Sequence, residues 1–382
     1  MNVVGIICEY NPFHNGHARQ IRLIRERYGE NCAVVCLMSG NFVQRGAPAV
    51  YPKLCRAEAA ITCGADLVLE LPTTYALRSA EGFASGGVEI LGKFCGELCF
   101  GAEDGDPEKL MTLARGLLSE EYRASLREQL DLGLSFPAAR QRALEAMGLE
   151  HALVRTPNNI LAVEYCKAIL ASGTAMKPMP IVRGGDYHTT VPEQENPSAT
   201  ALRGLIGKQE AIDPYVPEEA AGILSRGAVH TLLAGERFLL SRLRTMTDEE
   251  FEALPFGSEG LWRKLMHESR RQADLESIAQ SVKSKRYTRT RIDRMLLCAG
   301  LGITETMLEA PVPYVRVLGF NDRGRQVLRT AREKLTLVNI GQRMEHPYQA
   351  LEERWGALYG LFAQDGPEPP DQEERLRIIY RS

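Results

Sequence analysis

The chain has 382 residues, with 46 Lys or Arg against 49 Asp or Glu and a formal net charge of −3, so it has no general attraction for polyanions and room only for a local basic patch. Hydrophobic residues make up 44% and charged residues 25%, the composition of a globular protein long enough for two or three domains. Nine cysteines without a CxxC pair speak against a disulfide frame or a zinc site, and no apolar run approaches the roughly eighteen residues of a membrane span, so a cytoplasmic protein with reduced thiols and no membrane partner is expected.

Val3, Val4, Ile6 and Ile7 form a short apolar run that reads as a strand buried in a parallel sheet. Asn11-Pro12 turns the chain, Phe13 is an apolar plug, and His14-Asn15-Gly16-His17 opens a helix with Ile21 and Ile24 on its apolar face. His14 and His17 are three apart and point the same way from a first turn that also presents unpaired N–H groups and the positive end of a dipole. Gly16 admits a phosphate or an adenine to the backbone. The plainer alternative is that the histidines only cap the helix.

Ala33 to Met38 is a second strand, and the loop Ser39 to Gly46 leaves its carboxyl end, which makes Gln44 and Arg45 substrate candidates. Lys53 and Arg56 share one face of the next helix. Asp66 to Leu71 is a third strand, Ser79 caps a helix to Leu91, and Leu98 to Phe100 is a fourth strand leading into Gly101. This alternation predicts an α/β fold with a doubly wound parallel sheet, and the missing GxGxxG argues against a dinucleotide. Residues 107–147 are amphipathic and helical. Thr156-Pro157-Asn158-Asn159 starts another helix, and a strand from Pro180 to Val182 ends in Arg183-Gly184-Gly185, where Arg183 is a candidate anion clamp. Ser198, Thr200 and Arg203 open a helix with the chemistry of a second anion site.

Beyond residue 204 the pattern becomes mainly helical, which divides the chain into a phosphate-site domain at 1–204 and an RNA-binding domain at 205–382. Lys283, Lys285, Arg286, Arg289, Arg291 and Arg294 stand with Tyr287 in AQSVKSKRYTRTRIDR, a nucleic-acid footprint against the plainer reading of a solvated face. Tyr314 to Phe320 reads as a strand, and Leu351 to Phe362 as a helix with Trp355 and Tyr359 on one face.

The strand, Asn-Pro turn and paired histidines resemble the HxGH signature of the adenylyltransferases and class I aminoacyl-tRNA synthetases. EYNPFHNGH, MSGNFVQRG and KSKRYTRTR together resemble the tRNA(Met) cytidine acetate ligase family along nearly the whole chain. The stretch from Ser198 to Arg203 resembles the second superfamily motif, ISSTxIR, with Ala199 in place of one Ser.

The resemblance implies a ligase that makes acetyl-adenylate and pyrophosphate from ATP and acetate. The acetyl group then passes to the N4 amine of the wobble cytidine of elongator tRNA(Met), giving N4-acetylcytidine and AMP. It implies His14, His17 and Lys53 as catalytic residues. ATP would lie along Ile7, Cys8, Glu9, Tyr10, Asn11, Pro12, Phe13, His14, Asn15, Gly16 and His17, with Gly101, Asn158, Asn159, Arg183, Ser198, Thr200 and Arg203. Gln44 and Arg45 would meet the second substrate, and the basic run from Lys283 to Arg294 the tRNA. Mg2+ commonly accompanies ATP, although no acidic pair has the spacing of a metal cage. The residues alone leave two other readings open: a small-molecule nucleotidylyltransferase of the same fold and a non-catalytic RNA-binding protein. They do not bear on oligomeric state.

Overall fold

The computed structural model describes residues 1–134, 136–154, 156–182 and 193–382. The strands β1 (Asn2–Cys8), β2 (Cys32–Ser39), β3 (Leu67–Leu71), β4 (Glu97–Ala102) and β5 (Lys177–Val182) alternate with α1 (Asn15–Tyr28), α2 (Lys53–Thr62), α3 (Ala80–Leu91) and α4 (Pro157–Ser172). Helix α5 (Ala199–Gly207) follows. The helical part contains α6 (Glu236–Thr245), α7 (Leu261–Ser269), α8 (Leu275–Val282) and α9 (Arg289–Leu301). The chain closes with β6 (Val315–Asn321), β7 (Leu337–Asn339), α10 (Pro347–Tyr359), α11 (Gln372–Arg375) and β8 (Ile379–Arg381).

One sheet, in the order β8-β6-β3-β2-β1-β4-β5 with β7 beside β6, runs through the molecule. Strands β1 to β5 are mutually parallel, and β6 joins antiparallel to β3. Alternation along β2 fixes the two cores. Val35 and Leu37 face one layer with Phe83, Val88 and Leu98, while Val34, Cys36 and Met38 face the other with Ile21, Ile24 and Leu202. Gly5 lies so close to Leu91 of α3 that an added Cβ would sit 2.9 Å from its side chain, so the missing side chain brings that helix tight against β1. A third cluster, including Leu239, Leu265, Ile278, Ile292, Trp355, Tyr359 and Phe362, is the core of the helical part and reaches the sheet through Val338 of β7.

The division after residue 204 does not hold for the sheet. Strands β6, β7 and β8 all come from beyond it and extend the N-terminal sheet past β3. The reason is an open edge: β3 would otherwise expose a row of backbone donors and acceptors, and Val315, Val317 and Leu318 of β6 are buried in covering it. The segment from Ser39 to Gly46, expected as a plain loop, contains Phe42–Val43, which forms a short ribbon with Ala47–Pro48 just after it. Among the described residues, no helix is long and apolar enough to cross a membrane.

Candidate active site

The chain runs from β1 to β2 on one side, while β4 pairs with β1 on the other, so the crevice at their carboxyl ends is the topological switch point of the sheet. A cleft of about 960 Å³ lies there. Ile7, Phe83, Phe100, Leu161 and Tyr165 supply an apolar portion, and Gly16, His17, Ser198, Thr200 and Arg203 a polar one. Among its described lining residues the cations Arg19, Arg45, Arg203 and Lys208 face one carboxylate, Glu9, a balance that suits a polyphosphate.

The two histidines are placed by the start of α1. The Gly16 N–H donates to His14 Nδ1 at 3.1 Å, and the His14 N–H donates to His17 Nδ1 at 3.2 Å. The rings stack with centroids 3.6 Å apart. Capping is therefore real, and it has a chemical consequence. Because each Nδ1 accepts, each neutral ring carries its proton on Nε2 and has an N–H donor there. His17 lines the cleft, whereas His14 is fully buried behind it.

The opposite wall is the N-terminus of α5, where Ser198 Oγ accepts from the Ala201 N–H. Arg203 donates to Asn11 O at 2.7 Å and to Thr200 Oγ1 at 3.0 Å, which ties α5 to the loop after β1. At the end of β4, Gly101 and Asn158 line the cleft. Behind them Asn159 Oδ1 accepts from the N–H groups of Glu103 and Asp104, and Glu103 accepts from Thr156, Asn158 and the Asn159 N–H. This reciprocal lock joins the carboxyl end of β4 to the start of α4.

Ile7, Cys8, Glu9, Tyr10 and Asn11 also line the cleft, but Pro12, Phe13 and Asn15 do not. Phe13 is buried against Tyr10, and Asn15 Nδ2 donates to Gln194 O and Pro214 O. Burial pushes the Cys8 thiol and the Tyr10 phenol well above their ordinary ranges, so neither supplies an anionic nucleophile near neutral pH. Arg183 lies outside the described residues.

Lys53 is not at the cleft. Its ammonium is buried between Glu70 (3.0 Å) and Glu373 (2.8 Å), in a cluster that continues through Arg316 to Glu352 and Tyr314. The resemblance gave Lys53 its catalytic role, and its distant partner Glu373 could not be read locally. Arg56, on the same helix face, carries the arrangement of the site instead. Its fully buried guanidinium donates to the carbonyls of Tyr51 (2.8 Å), Glu9 (2.6 Å), Ser39 (3.0 Å) and Gly40, holding the loops after β1 and β2 together. Burial pushes its pKa down, yet a guanidinium starts so high that it stays charged.

Gln44 and Arg45 line the cleft, the former with its N–H donating to Glu9 Oε1 at 2.7 Å. The basic run is divided. Lys283 and Lys285 are exposed. Arg286 pairs with Glu259, Arg289 bridges Glu276 and Asp293, Arg291 donates to Phe256 O, and the Tyr287 hydroxyl donates to Glu259 O. Arg294 is only 7% exposed, lies over the Phe256 ring and donates to Gln44 O, so burial removes it from any phosphate surface. Residues that sequence reasoning missed are Phe83, Phe100, Tyr165, Arg19, Lys208 and Thr290 at the cleft. Arg19 follows Gly16 by three positions and was within reach of a helix-face argument, but the others depend on tertiary packing. Among the described residues, no group of three or more His, Cys, Asp or Glu side chains is placed to hold a metal ion.

Residues 1–372 match the model of a family described as HIGH Nucleotidyl Transferase. A tRNA(Met) cytidine acetate ligase of Clostridium acetobutylicum is 34% identical over 373 residues, covering 92% of each chain. One from a Geobacillus species is 35% identical over 389 residues, covering 97% of this chain and 96% of the relative. The crystal structure of Thermotoga maritima TmcAL bound with alpha-thio ATP superposes with a TM-score of 0.87 at 31% identity over the full length of both chains. Its apo form reaches 0.90.

Proposed function

The chain belongs to the tRNA(Met) cytidine acetate ligase family of HIGH nucleotidyl transferases and is an ATP-dependent ligase, and we propose that it activates acetate as acetyl-adenylate and passes the acetyl group to the N4 amine of the wobble cytidine of elongator tRNA(Met). One observation carries this reading: His17, Arg203 and the N-termini of α1 and α5 converge on one cationic cleft at the switch point.

The apolar portion around Phe83, Phe100 and Tyr165 takes the adenine, and Gly101 lets the adenosine pass. Ser198, Thr200 and Arg203 hold the outer phosphates. An acetate oxygen attacks the α-phosphorus, the bond from that phosphorus to the bridging oxygen breaks, and pyrophosphate leaves with the electron pair. The His17 Nε2–H donates to the oxygens on which charge grows, without being consumed. In the second step the cytidine N4 attacks the acyl carbon, the acyl–oxygen bond breaks, AMP departs, and the amine proton is lost to water. Positioning and charge stabilisation suffice for both steps, so no covalent enzyme intermediate forms.

This reading displaces the RNA-binding protein without catalysis and the small-molecule nucleotidylyltransferase. Its test is acetate-dependent ATP–pyrophosphate exchange without tRNA, followed by transfer of labelled acetate to tRNA(Met). Exchange that ignores acetate, or tRNA acetylation without pyrophosphate release, overturns it.

A further inference from the structure

Among the described residues lining the cleft, Thr290 is the one that comes from beyond residue 208. It stands on the first turn of α9, in the region that sequence reasoning assigned to RNA binding rather than to the reaction. The contact that brings it there is rigid. Gly46 packs so tightly on α9 that an added Cβ would collide with the backbone of Asp293 and Arg294. One turn below Thr290, the buried Arg294 guanidinium donates to Gln44 O at 3.4 Å. The Gln44 N–H is held in turn by Glu9 at the end of β1. The tip carrying Gln44 and Arg45 is thus fastened on one side to the strand that leads to His17 and on the other to α9.

Five residues before Thr290 stands the exposed Lys285, with Lys283 and Arg286 on the same turn, closed by the Ser284 N–H donating to Tyr287 O at 3.2 Å. An exposed cationic turn therefore runs directly into the wall of the reaction cleft. A base inside a stack cannot present its amine to a recessed centre, so it must leave the stack and enter singly. We propose that the acceptor nucleotide of the RNA enters the cleft over the rim that the Gln44-Arg45 tip and the first turn of α9 form together, and that Thr290 is the positioning residue at this entrance. The proposal rests on the acyl-transfer reading above and adds to it the route by which the second substrate arrives.

Thr290 is exposed at the start of a helix, where a larger side chain projects into the entrance without entering the core. The experiment compares Thr290→Tyr and Thr290→Ser in the full chain with the unchanged protein. It measures acetate-dependent ATP–pyrophosphate exchange, tRNA(Met) affinity, and the rate of acetyl transfer at saturating tRNA. The expected result is at least a tenfold fall in transfer for Thr290→Tyr, exchange and affinity within twofold, and Thr290→Ser close to the unchanged protein in all three. Unchanged transfer in Thr290→Tyr overturns the proposal, because the nucleotide then enters elsewhere. Exchange falling in parallel with transfer also overturns it, since position 290 would then border the ATP pocket. So does a loss of affinity with full transfer at saturation, which is what a simple docking contact gives. Failure of the reading beneath it shows separately, as absent acetate-dependent exchange in the unchanged protein.

Discussion

Replacing Lys53 with Met separates a catalytic from a structural role for that lysine. The ammonium sits between Glu70 and Glu373, which are 4% and 6% exposed, and Arg316 reaches Glu373 and Glu352 from the other side. The cluster thus holds two cations against three carboxylates. Burial pushes the Glu373 carboxyl up, and Lys53 and Arg316 together more than reverse this, while burial leaves the Glu352 carboxyl above its usual range. Removing Lys53 takes the ion-pair partner from Glu70 and leaves Glu373 with Arg316 alone, and removing one partner of a buried pair costs about 3–5 kcal/mol. That is a large part of the roughly 5–15 kcal/mol that holds a domain folded.

The defect should depend on pH. A stranded buried carboxylate has a folded pKa above its unfolded one, so the folded variant binds more protons than the unfolded chain and loses stability as pH rises. The deficit relative to the unchanged protein should therefore shrink between pH 8 and pH 5. Urea unfolding at both values measures it, and adding Glu373→Gln to Lys53→Met should recover part of the loss. The folded fraction of Lys53→Met should adenylate acetate within about threefold of the unchanged protein, because the side chain does not reach the cleft. Full stability with a hundredfold loss of adenylation would refute this reasoning and return Lys53 to the reaction.

His17→Ala should raise the adenylation barrier by about 2.7–4 kcal/mol, the effect of losing one oxyanion donor, with urea stability nearly retained; normal exchange rates in the folded variant would remove the central claim. Lys283→Ala with Lys285→Ala should weaken tRNA binding and flatten its log–log salt slope by about 0.7–0.9 for each cation, leaving exchange unchanged; an unaltered slope would make them ordinary surface charges. Bonds from Arg289 hold the Glu276 carboxyl down to about 2, so its contribution is complete above the unfolded value near 4.5 and is lost as pH falls towards 2. The pair is solvent-exposed, which limits the effect to about 1 kcal/mol or less, and the stability difference between the unchanged protein and Glu276→Gln should vanish at low pH.

The elements on the histidine side of the cleft were legible because their signals are local. A run of β-branched residues makes β1, a turn ends it, and histidines three apart on a helix start must share a face, as their stacked rings do. The Ser79 cap, the strand and helix alternation to Gly101, and the burial of Trp355 and Tyr359 followed from the same short-range rules. Charge could not be read that way. The resemblance gave Lys53 a catalytic role, whereas its ammonium lies against Glu373, 320 positions away, and Arg294, read as a phosphate contact, is enclosed by Gln44 and Phe256. The antiparallel pairing of β6 on β3, which carries the C-terminal chain back into the sheet, is equally remote in sequence. Periodicity and capping are decided within a few residues by backbone geometry. Whether a cation meets solvent, a substrate or a buried carboxylate depends on which distant segment packs over it, and the tertiary structure decided that.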